Sequence, residues 1–107
     1  MTRRGSLVTV ALQGDDGKPR PALVLQSDLL AGHASVVLCL LTTSPAEADF
    51  RVRVEPSAAN GLQEVSQVMV DKLVTVRRDK VGEPFGALEP QAMRAVERAL
   101  LLVVGMS

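Results

Sequence analysis

Gly17-Lys18-Pro19-Arg20-Pro21-Ala22-Leu23-Val24 places two cations and two prolines directly before an apolar segment that is typical of a strand. Proline fixes its own φ and pushes the preceding residue toward an extended backbone, so Lys18 and Arg20 are both expected in extended, poorly mobile positions. The planar guanidinium of Arg20 matches the geometry of a phosphate, and a rigid backbone reduces the entropy lost on binding. The stretch therefore predicts either an anion site at the start of a strand or a solvated basic turn.

The segments around this stretch predict further strands. The β-branched run from Leu7 to Leu12 is typical of a strand, and the glycines and aspartates between Gln13 and Pro19 predict a turn after it. Ala22 to Gln26 and Val36 to Leu41 are apolar on both faces, which indicates two central strands of a sheet. The segment from Ser27 to Gly32 between them predicts one helical turn.

The second half of the chain begins with alternating hydrophobicity. From Phe50 to Glu55 the apolar and charged residues alternate strictly, so the apolar side chains are expected on the core face and the charged ones outside. Gln67 to Val70 and Leu73 to Val76 predict two short strands with a break at Asp71-Lys72. Phe85 to Leu88 is a further strand candidate.

The end of the chain changes to a helical period. From Pro90 to Val104 apolar residues recur every three or four positions, which is typical of an amphipathic helix. Pro90 suits the first helical position and Gly105 suits a C-terminal cap. The residues alone therefore predict a mainly β fold with a C-terminal helix: a strongly curved, mainly antiparallel sheet of about five to seven strands packed on that helix. Residues 1–107 are expected to form one domain.

The composition limits the partners and the compartment. The 107 residues include 12 basic and 12 acidic ones, so a polyanion has to be held by a local patch. The aromatic content of 2% leaves few stacking surfaces, so a nucleic acid partner is expected to be short. No apolar run is long enough to span a bilayer, and no signal peptide is visible. With one cysteine, an internal disulfide is excluded and the cytoplasm is the expected compartment.

The residue inventory also limits the chemistry. The single histidine, His33, and the single cysteine, Cys39, have no second ligand at metal spacing, so no metal site is expected. His33 is expected in an exposed loop and Cys39 as a small buried hydrophobe. No Gly-rich turn joins a strand to a helix, so no nucleotide cofactor is predicted. Acid, base and cation chemistry by Asp, Glu, Arg, Lys and hydroxyl groups remains.

Such groups occur at three predicted strand ends. Arg20 opens one strand, Thr42-Thr43-Ser44 closes another, and Asp71-Lys72 lies at a strand junction. Taken singly, each cluster is equally typical of a turn or of a solvated charge pair.

Taken together, the segments resemble the MazF/PemK (Kid) family of toxin endoribonucleases nearly end to end. The motifs that carry the resemblance are Arg4-Gly5, the stretch 17–24, Leu41-Thr42-Thr43-Ser44, Asn60-Gly61-Leu62, Ser66 to Lys72, Thr75-Val76-Arg77, Gly82 and Gly86-Ala87-Leu88. The resemblance implies an SH3-like curved antiparallel barrel with a C-terminal helix, and a homodimer. It also implies sequence-selective, metal-independent cleavage of single-stranded RNA, with no cofactor, and neutralisation by a cognate antitoxin whose acidic C-terminal segment covers the RNA groove.

The resemblance assigns catalytic roles to three residues. Arg20 matches the arginine of the family's arginine-proline motif, Thr42 its strand-end threonine, and Asp71 the acid that some members use. In the implied transphosphorylation, Asp71 is the base, provided that burial raises its pKa, Arg20 stabilises charge on the phosphorane, and Thr42 orients the phosphate. The expected RNA contacts are Lys18, Thr43, Ser44, Gln67, Lys72 and Arg77. With Arg20, the cations Lys18, Arg77, Arg78 and Lys80 are expected either to form a positive strip or to lie scattered on separate faces.

The chain departs from the family pattern at two positions. Some members carry an arginine two residues before the acid, where this chain has Met69, so Arg20 is expected to supply the positive charge. Ser6 replaces an acidic residue after the first Arg-Gly. Two alternatives stay open: a gyrase-poisoning, CcdB-like toxin that acts through the C-terminal helix, and a non-catalytic SH3-like binding module. Arg20 with Thr42 favours the nuclease.

Overall fold

One curled antiparallel sheet and one helix account for most of the residues that the computed structural model describes, 2–12 and 18–106. The predicted turn at 13–17 lies outside the described residues. The sheet has six strands in the order β4-β5-β3-β2-β1-β6. The strands are β1 Ser6–Ala11, β2 Pro19–Val24, β3 Ser35–Thr42, β4 Arg51–Val54, β5 Ser66–Arg77 and β6 Gly86–Ala87. The helix α1 is Pro90–Val103, and short 3-10 turns occur at Asp28–Leu30 and Arg78–Lys80.

The sheet buries both of its faces, as expected for central strands that are apolar throughout. One core cluster, which includes Leu7, Leu23, Val68 and Val96, fills the space between the sheet and α1. The other, built on Val8, Val10, Ala22, Val24, Val36 and Leu38, lies inside the curl. A bridge between Val10 and Val81 draws the segment after β5 toward β1. The predicted fold class and the central position of β2 and β3 are therefore confirmed.

The helix ends as the sequence predicts. Pro90 is in the first turn, and Gly105 has a φ of 76°, which is a left-handed conformation that suits glycine. The N–H of Met106 donates to the carbonyl of Leu101 at 2.8 Å, and the N–H of Gly105 donates to that of Leu102 at 3.2 Å. This pair of bonds is a Schellman motif, which satisfies carbonyls at the end of the helix. No helix in the described part of the chain is long and apolar enough to cross a membrane.

Two strand boundaries differ from the predictions. β2 begins at Pro19 rather than Ala22, because the two prolines hold their surroundings extended. β5 runs from Ser66 to Arg77 without the predicted break at Asp71-Lys72. Its pairing with β3 changes register instead. Leu41 pairs with Val68 and Cys39 pairs with Leu73, so the stretch of β5 between these two pairs is longer than the stretch of β3 opposite it. The extra residues are absorbed in a bulge, so the polar pair stays within the strand.

Candidate active site

The anchor of the site is an opening between β2 and β3. Their ladder pairs Val24 with Leu38 and ends at Ala22 and Leu40, although both strands continue beyond that point. The ladder of β2 with β1 continues to Pro19. Proline has no N–H to donate, so Pro19 and Pro21 weaken pairing at this end of β2.

Arg20 and Thr42 lie at this opening on neighbouring strands. Each stands two residues beyond the last pair of this ladder, Arg20 before Ala22 and Thr42 after Leu40. Because side chains two apart on a strand share a face, both project from the same face of the sheet. The structure thus brings together the two residues that the resemblance assigns to the phosphate.

A polar row extends from this opening across the sheet. Thr42 pairs with Gln67 on β5, and Gln67 pairs with Arg53 on β4. Directly paired residues point to the same face, so Arg20, Thr42, Gln67 and Arg53 form a row with a cation at each end. A cavity of about 330 Å³ lies over it, lined by residues that include Thr42, Thr43, Arg53, Ser66 and Gln67. We call these features the polar row and the row cavity.

Two members of the row hold the loop after β3. The N–H of Ser44 donates to Oγ1 of Thr42 at 3.1 Å, which leaves the Thr42 hydroxyl hydrogen available to a ligand. Oε1 of Gln67 accepts the N–H of Ala46 at 3.0 Å, and Nε2 of Gln67 donates to the Ala46 carbonyl at 2.9 Å. The carboxamide of Gln67 is thus bound to backbone and positions the loop, and its contact with RNA stays a prediction.

Asp71 is held by a guanidinium that the sequence reasoning did not identify. Nε of Arg51 donates to Oδ1 of Asp71 at 2.8 Å and Nη2 to Oδ2 at 3.2 Å, a two-point geometry in a half-buried setting. This hydrogen bond lowers the pKa of Asp71. The condition set for Asp71 as a base, a pKa raised by burial, is therefore not met, because the charge and donors of Arg51 outweigh burial. The carboxylate is bonded to β4, whereas Thr42 belongs to β3, the strand on the other side of β5.

Arg51 stands directly opposite Met69, the position at which the family arginine is missing. A guanidinium therefore reaches the acid from the neighbouring strand. The only sequence signal for the bond between Arg51 and Asp71 was the pair of cations in the alternating segment 50–55, whose charged side chains were expected in solvent. Arg53 was missed in the same way, although its exposed side chain also pairs with Glu55 at 2.8 Å.

The remaining predicted contacts fall into two groups. Lys18, Thr43, Ser44 and Lys72 are exposed. Arg77 pairs with Ser35 at the far end of β3, seven residues from Thr42, or about 20 Å along a strand. Nη2 of Arg77 also donates to Asp79 at 2.6 Å, and Nε of Arg78 donates to the carbonyl of His33 at 2.6 Å. The structure does not bring Arg77 to Thr42, which favours the scattered arrangement of these cations, and contact of Arg77 with RNA stays a prediction.

A second cavity of about 420 Å³ adjoins the row cavity. Its lining includes Phe85, Leu62 and Pro21, with Thr43 and Ser66 shared between the two cavities. We call it the Phe85 cavity. The ring of Phe85 lies against Gly61, where an added Cβ would come within 3.2 Å of the ring and 2.6 Å of the Phe85 carbonyl. Gly61 also has a φ of 69°, so this wall requires glycine.

A buried hydrogen-bond network fixes the loop behind that wall. The side chain of Asn60 is fully buried, and its Nδ2 donates to the carbonyl of Glu55 at 2.9 Å and to Oε1 of Glu89 at 3.1 Å. Oγ of Ser57 donates to Oε2 of Glu89 at 2.6 Å. The hydrogen bond from Ser57 is the leading cause that lowers the pKa of Glu89. The network joins the 55–62 loop to the start of α1.

The lowered pKa of Glu89 predicts a loss of stability in acid. A carboxyl group whose pKa is lower in the folded state stabilises it above the unfolded value, about 4.3, and this stabilisation is lost as pH falls through the folded pKa. Urea unfolding between pH 7 and pH 3 is expected to show a shallower decline for Glu89→Gln than for the parent. Glu83→Gln, at an exposed position, is the control. An unchanged slope in Glu89→Gln would contradict the assigned network.

The remaining titratable groups of interest behave as structural residues. Cys39 is fully buried, and burial together with the charge of Asp71 raises the pKa of its thiol to about 12. This confirms it as a hydrophobe rather than a nucleophile. His33 is exposed, also as predicted. Within residues 2–12 and 18–106, no group of three or more His, Cys, Asp or Glu side chains is placed to hold a metal ion.

Comparison with known proteins agrees with this geometry. Residues 3–104 match the family described as PemK-like, MazF-like toxin of type II toxin-antitoxin system. The chain is 41% identical over 107 residues to the probable endoribonuclease MazF of Mycolicibacterium smegmatis, with 98% of each chain covered. An endoribonuclease from a mycobacterial species, solved with its cognate antitoxin, is 25% identical with a TM-score of 0.87, covering 100% of this chain and 98% of that one.

Two further solved structures share the fold. The Mycobacterium tuberculosis toxin MazF-mt6 superposes with a TM-score of 0.83 at 24% identity, over 95% of this chain and 98% of that one. A MazE-MazF complex from Deinococcus radiodurans gives 0.79 at 25% identity, over 99% and 97%. Because the family match spans nearly the whole chain and the curled sheet with its C-terminal helix is that of MazF structures, this chain belongs to the PemK-like, MazF-like family of type II toxins.

Proposed function

We propose that this chain is a sequence-selective endoribonuclease toxin that cuts single-stranded RNA by transphosphorylation. The 2′-hydroxyl oxygen of the RNA attacks the adjacent phosphorus and loses its proton, and the bond from phosphorus to the 5′ oxygen of the next nucleotide breaks. The products are a 2′,3′-cyclic phosphate and a 5′-hydroxyl, which takes up a proton. The observation that carries this proposal is the position of Arg20 and Thr42 on the same face of the sheet, where the ladder between β2 and β3 ends.

Arg20 and Thr42 have complementary roles in this reaction. A guanidinium does not give up its proton near neutral pH, so Arg20 acts by stabilising negative charge on the phosphorane. Thr42 donates its hydroxyl hydrogen to a phosphate oxygen, and the bond from Ser44 fixes its orientation for in-line attack. Lys18, Thr43, Ser44 and Lys72, all exposed, are proposed contacts to neighbouring phosphates.

Asp71 is the proposed base, with a restricted role. Its bond to Arg51 keeps the carboxylate ionised, so it can accept a proton, but the lowered pKa makes it a weak base. Substitution of Asp71 is therefore expected to cost less activity than substitution of Arg20.

The mechanism requires no metal, and EDTA tests this directly. A purified sample incubated with synthetic single-stranded RNA is expected to cut at the same rate with and without excess EDTA. An Arg20→Ala preparation made in parallel controls for contaminating ribonuclease. Loss of cleavage in EDTA that magnesium or manganese restores would overturn the proposed mechanism.

Two partners complete the proposal, an antitoxin and a second copy of the chain in the cytoplasm. The solved relatives bound to antitoxin support the first. Exposed apolar side chains at the end of α1, including Leu102 and Met106, support the second, which sedimentation of the purified chain would measure. We expect an acidic antitoxin segment and RNA to compete for the cations of the polar row, and both to bind more weakly as salt rises. Fluorescence anisotropy measures this competition, and tight peptide binding that leaves RNA affinity intact would contradict it.

The two alternative functions are not favoured. A gyrase poison that acts through its helix, or a silent binding module, has no use for an arginine and a threonine at an unpaired strand opening. The family match points the same way.

A further inference from the structure

We propose that the Phe85 cavity binds one nucleobase of the RNA, with the ring of Phe85 as the stacking surface. The inference rests on the proposed function, because it takes RNA to be the ligand. Phe85 then helps to determine which RNA sequence is cut, a role beyond the strand position predicted for it.

The location of the cavity suits a base next to the reacting phosphate. Pro21 lines the Phe85 cavity and directly follows Arg20 in β2. Thr43, which lines both cavities, directly follows Thr42. Adjacent residues of a strand point to opposite faces, so Pro21 and Thr43 line the Phe85 cavity on the other face of the sheet from Arg20 and Thr42. The two faces meet at the opening between β2 and β3, where Thr43 and Ser66 line both cavities. A nucleotide that adjoins the cut can therefore place its base in the Phe85 cavity by passing through this opening.

The residues that line the cavity suit both the apolar faces and the polar edge of a nucleobase. Pro21, Leu62 and Phe85 supply apolar surface for the faces of the ring, and the cavity of about 420 Å³ falls within the range of small-molecule sites. Gln63 and Glu64 lie in the same lining and carry hydrogen-bonding groups of the kind that read base edges. A largely apolar cavity with a few polar groups is the usual form of such a site.

Phe85 is both available and held in place. Phe85 is 39% exposed, so part of its surface is open to a ligand. Its N–H donates to the carbonyl of Leu7 at 2.9 Å, and the ring rests against Gly61. A ring fixed before binding loses little entropy when a base stacks on it. The chain has two phenylalanines and no tryptophan or tyrosine, and the other phenylalanine, Phe50, is only partly exposed.

This composition permits a direct spectroscopic test. Because the chain has no tryptophan, Phe85→Trp introduces a single indole at the proposed stacking position. The RNA probe carries a 2′-O-methyl group at every nucleotide, so it binds without being cut. We expect the indole fluorescence to be quenched on binding, and the quenching to disappear when one particular nucleotide of the probe is made abasic. Binding without quenching would overturn the proposal.

Affinity measurements separate stacking from a merely structural role. Loss of a base–aromatic stack typically weakens binding about fivefold to a hundredfold, so Phe85→Ala is expected to bind the probe that much more weakly. The abasic nucleotide that weakens the parent should have no further effect in Phe85→Ala, because the two changes remove the same contact. Phe85→Leu, which keeps apolar bulk, serves if the alanine variant unfolds. Leu29→Ala removes an exposed apolar side chain outside both cavities and is expected to bind like the parent.

The outcomes distinguish this inference from the proposed function. If the parent fails to cut unmodified RNA, the proposed function fails, but the binding and quenching results still decide the stacking site. If the parent cuts and Phe85→Ala binds with unchanged affinity, or with the abasic penalty intact, the stacking site is wrong and the nuclease assignment stands.

Discussion

Replacing Arg20 by alanine is expected to lower the rate of RNA cleavage by about a hundredfold to a thousandfold. Removing one preorganised donor from a site where negative charge develops typically has this effect, and the phosphorane carries more charge than the ground state. Arg20 is exposed at the end of a strand, so the variant is expected to fold. Single-turnover cleavage of a synthetic RNA measures the rate, and thermal unfolding checks the fold.

Cleavage rates of further variants show whether the loss is specific to the site. Thr42→Ala is expected to lose about tenfold, because a neutral hydrogen bond contributes less than a charged one. Asp71→Asn is expected to lose less than Arg20→Ala, in keeping with its lowered pKa. Arg94→Ala is the matched control, since it removes the same charge from an exposed position on α1 and should leave the rate within about threefold. An Arg20→Ala protein that cuts as fast as the parent would remove the central residue of the proposal.

The strands and the helix could be predicted from the sequence because each depends on the pattern of residues that are close together in the chain. The apolar runs of β2 and β3 predict central strands. The helical period from Pro90, with Gly105 after it, predicts α1 and its C-terminal cap. The proline pair around Arg20 was informative for the same reason, since each proline acts on its own neighbours. Such features need no knowledge of which strand lies beside which.

The contacts of the site depended on strand pairing, which local signals do not contain. Arg51 reaches Asp71 only because β4 pairs with β5 in a register that sets Arg51 opposite Met69. Gln67 binds the backbone of Ala46 across 21 residues of sequence. A pKa raised by burial was the condition for Asp71 to act as a base, whereas the neighbouring strand supplies the cation that lowers it.

Replacing Asn60 by alanine is expected to be among the most destabilising changes in this chain. Its Oδ1 accepts the N–H of Ser57 at 3.0 Å and that of Leu62 at 2.9 Å, and its Nδ2 donates to the carbonyl of Glu55. Alanine leaves these groups without that partner. At about 1–3 kcal/mol for each buried group left unsatisfied, the expected loss is about 3–5 kcal/mol in the free energy of unfolding.

The volume-conserving change Asn60→Asp shows whether hydrogen bonding or packing is responsible. Aspartate keeps the size but replaces the donor Nδ2 by an oxygen that faces the Glu55 carbonyl and the Glu89 carboxylate. If the network matters, Asn60→Asp is at least as unstable as Asn60→Ala at pH 7 and recovers in acid, where a protonated carboxyl group can donate. Urea unfolding at pH 7 and pH 4 measures both. An aspartate variant as stable as the parent at pH 7 would mean that Asn60 acts through its volume. The hydrogen bonds of Asn60 would then not be what holds the 55–62 loop against Phe85.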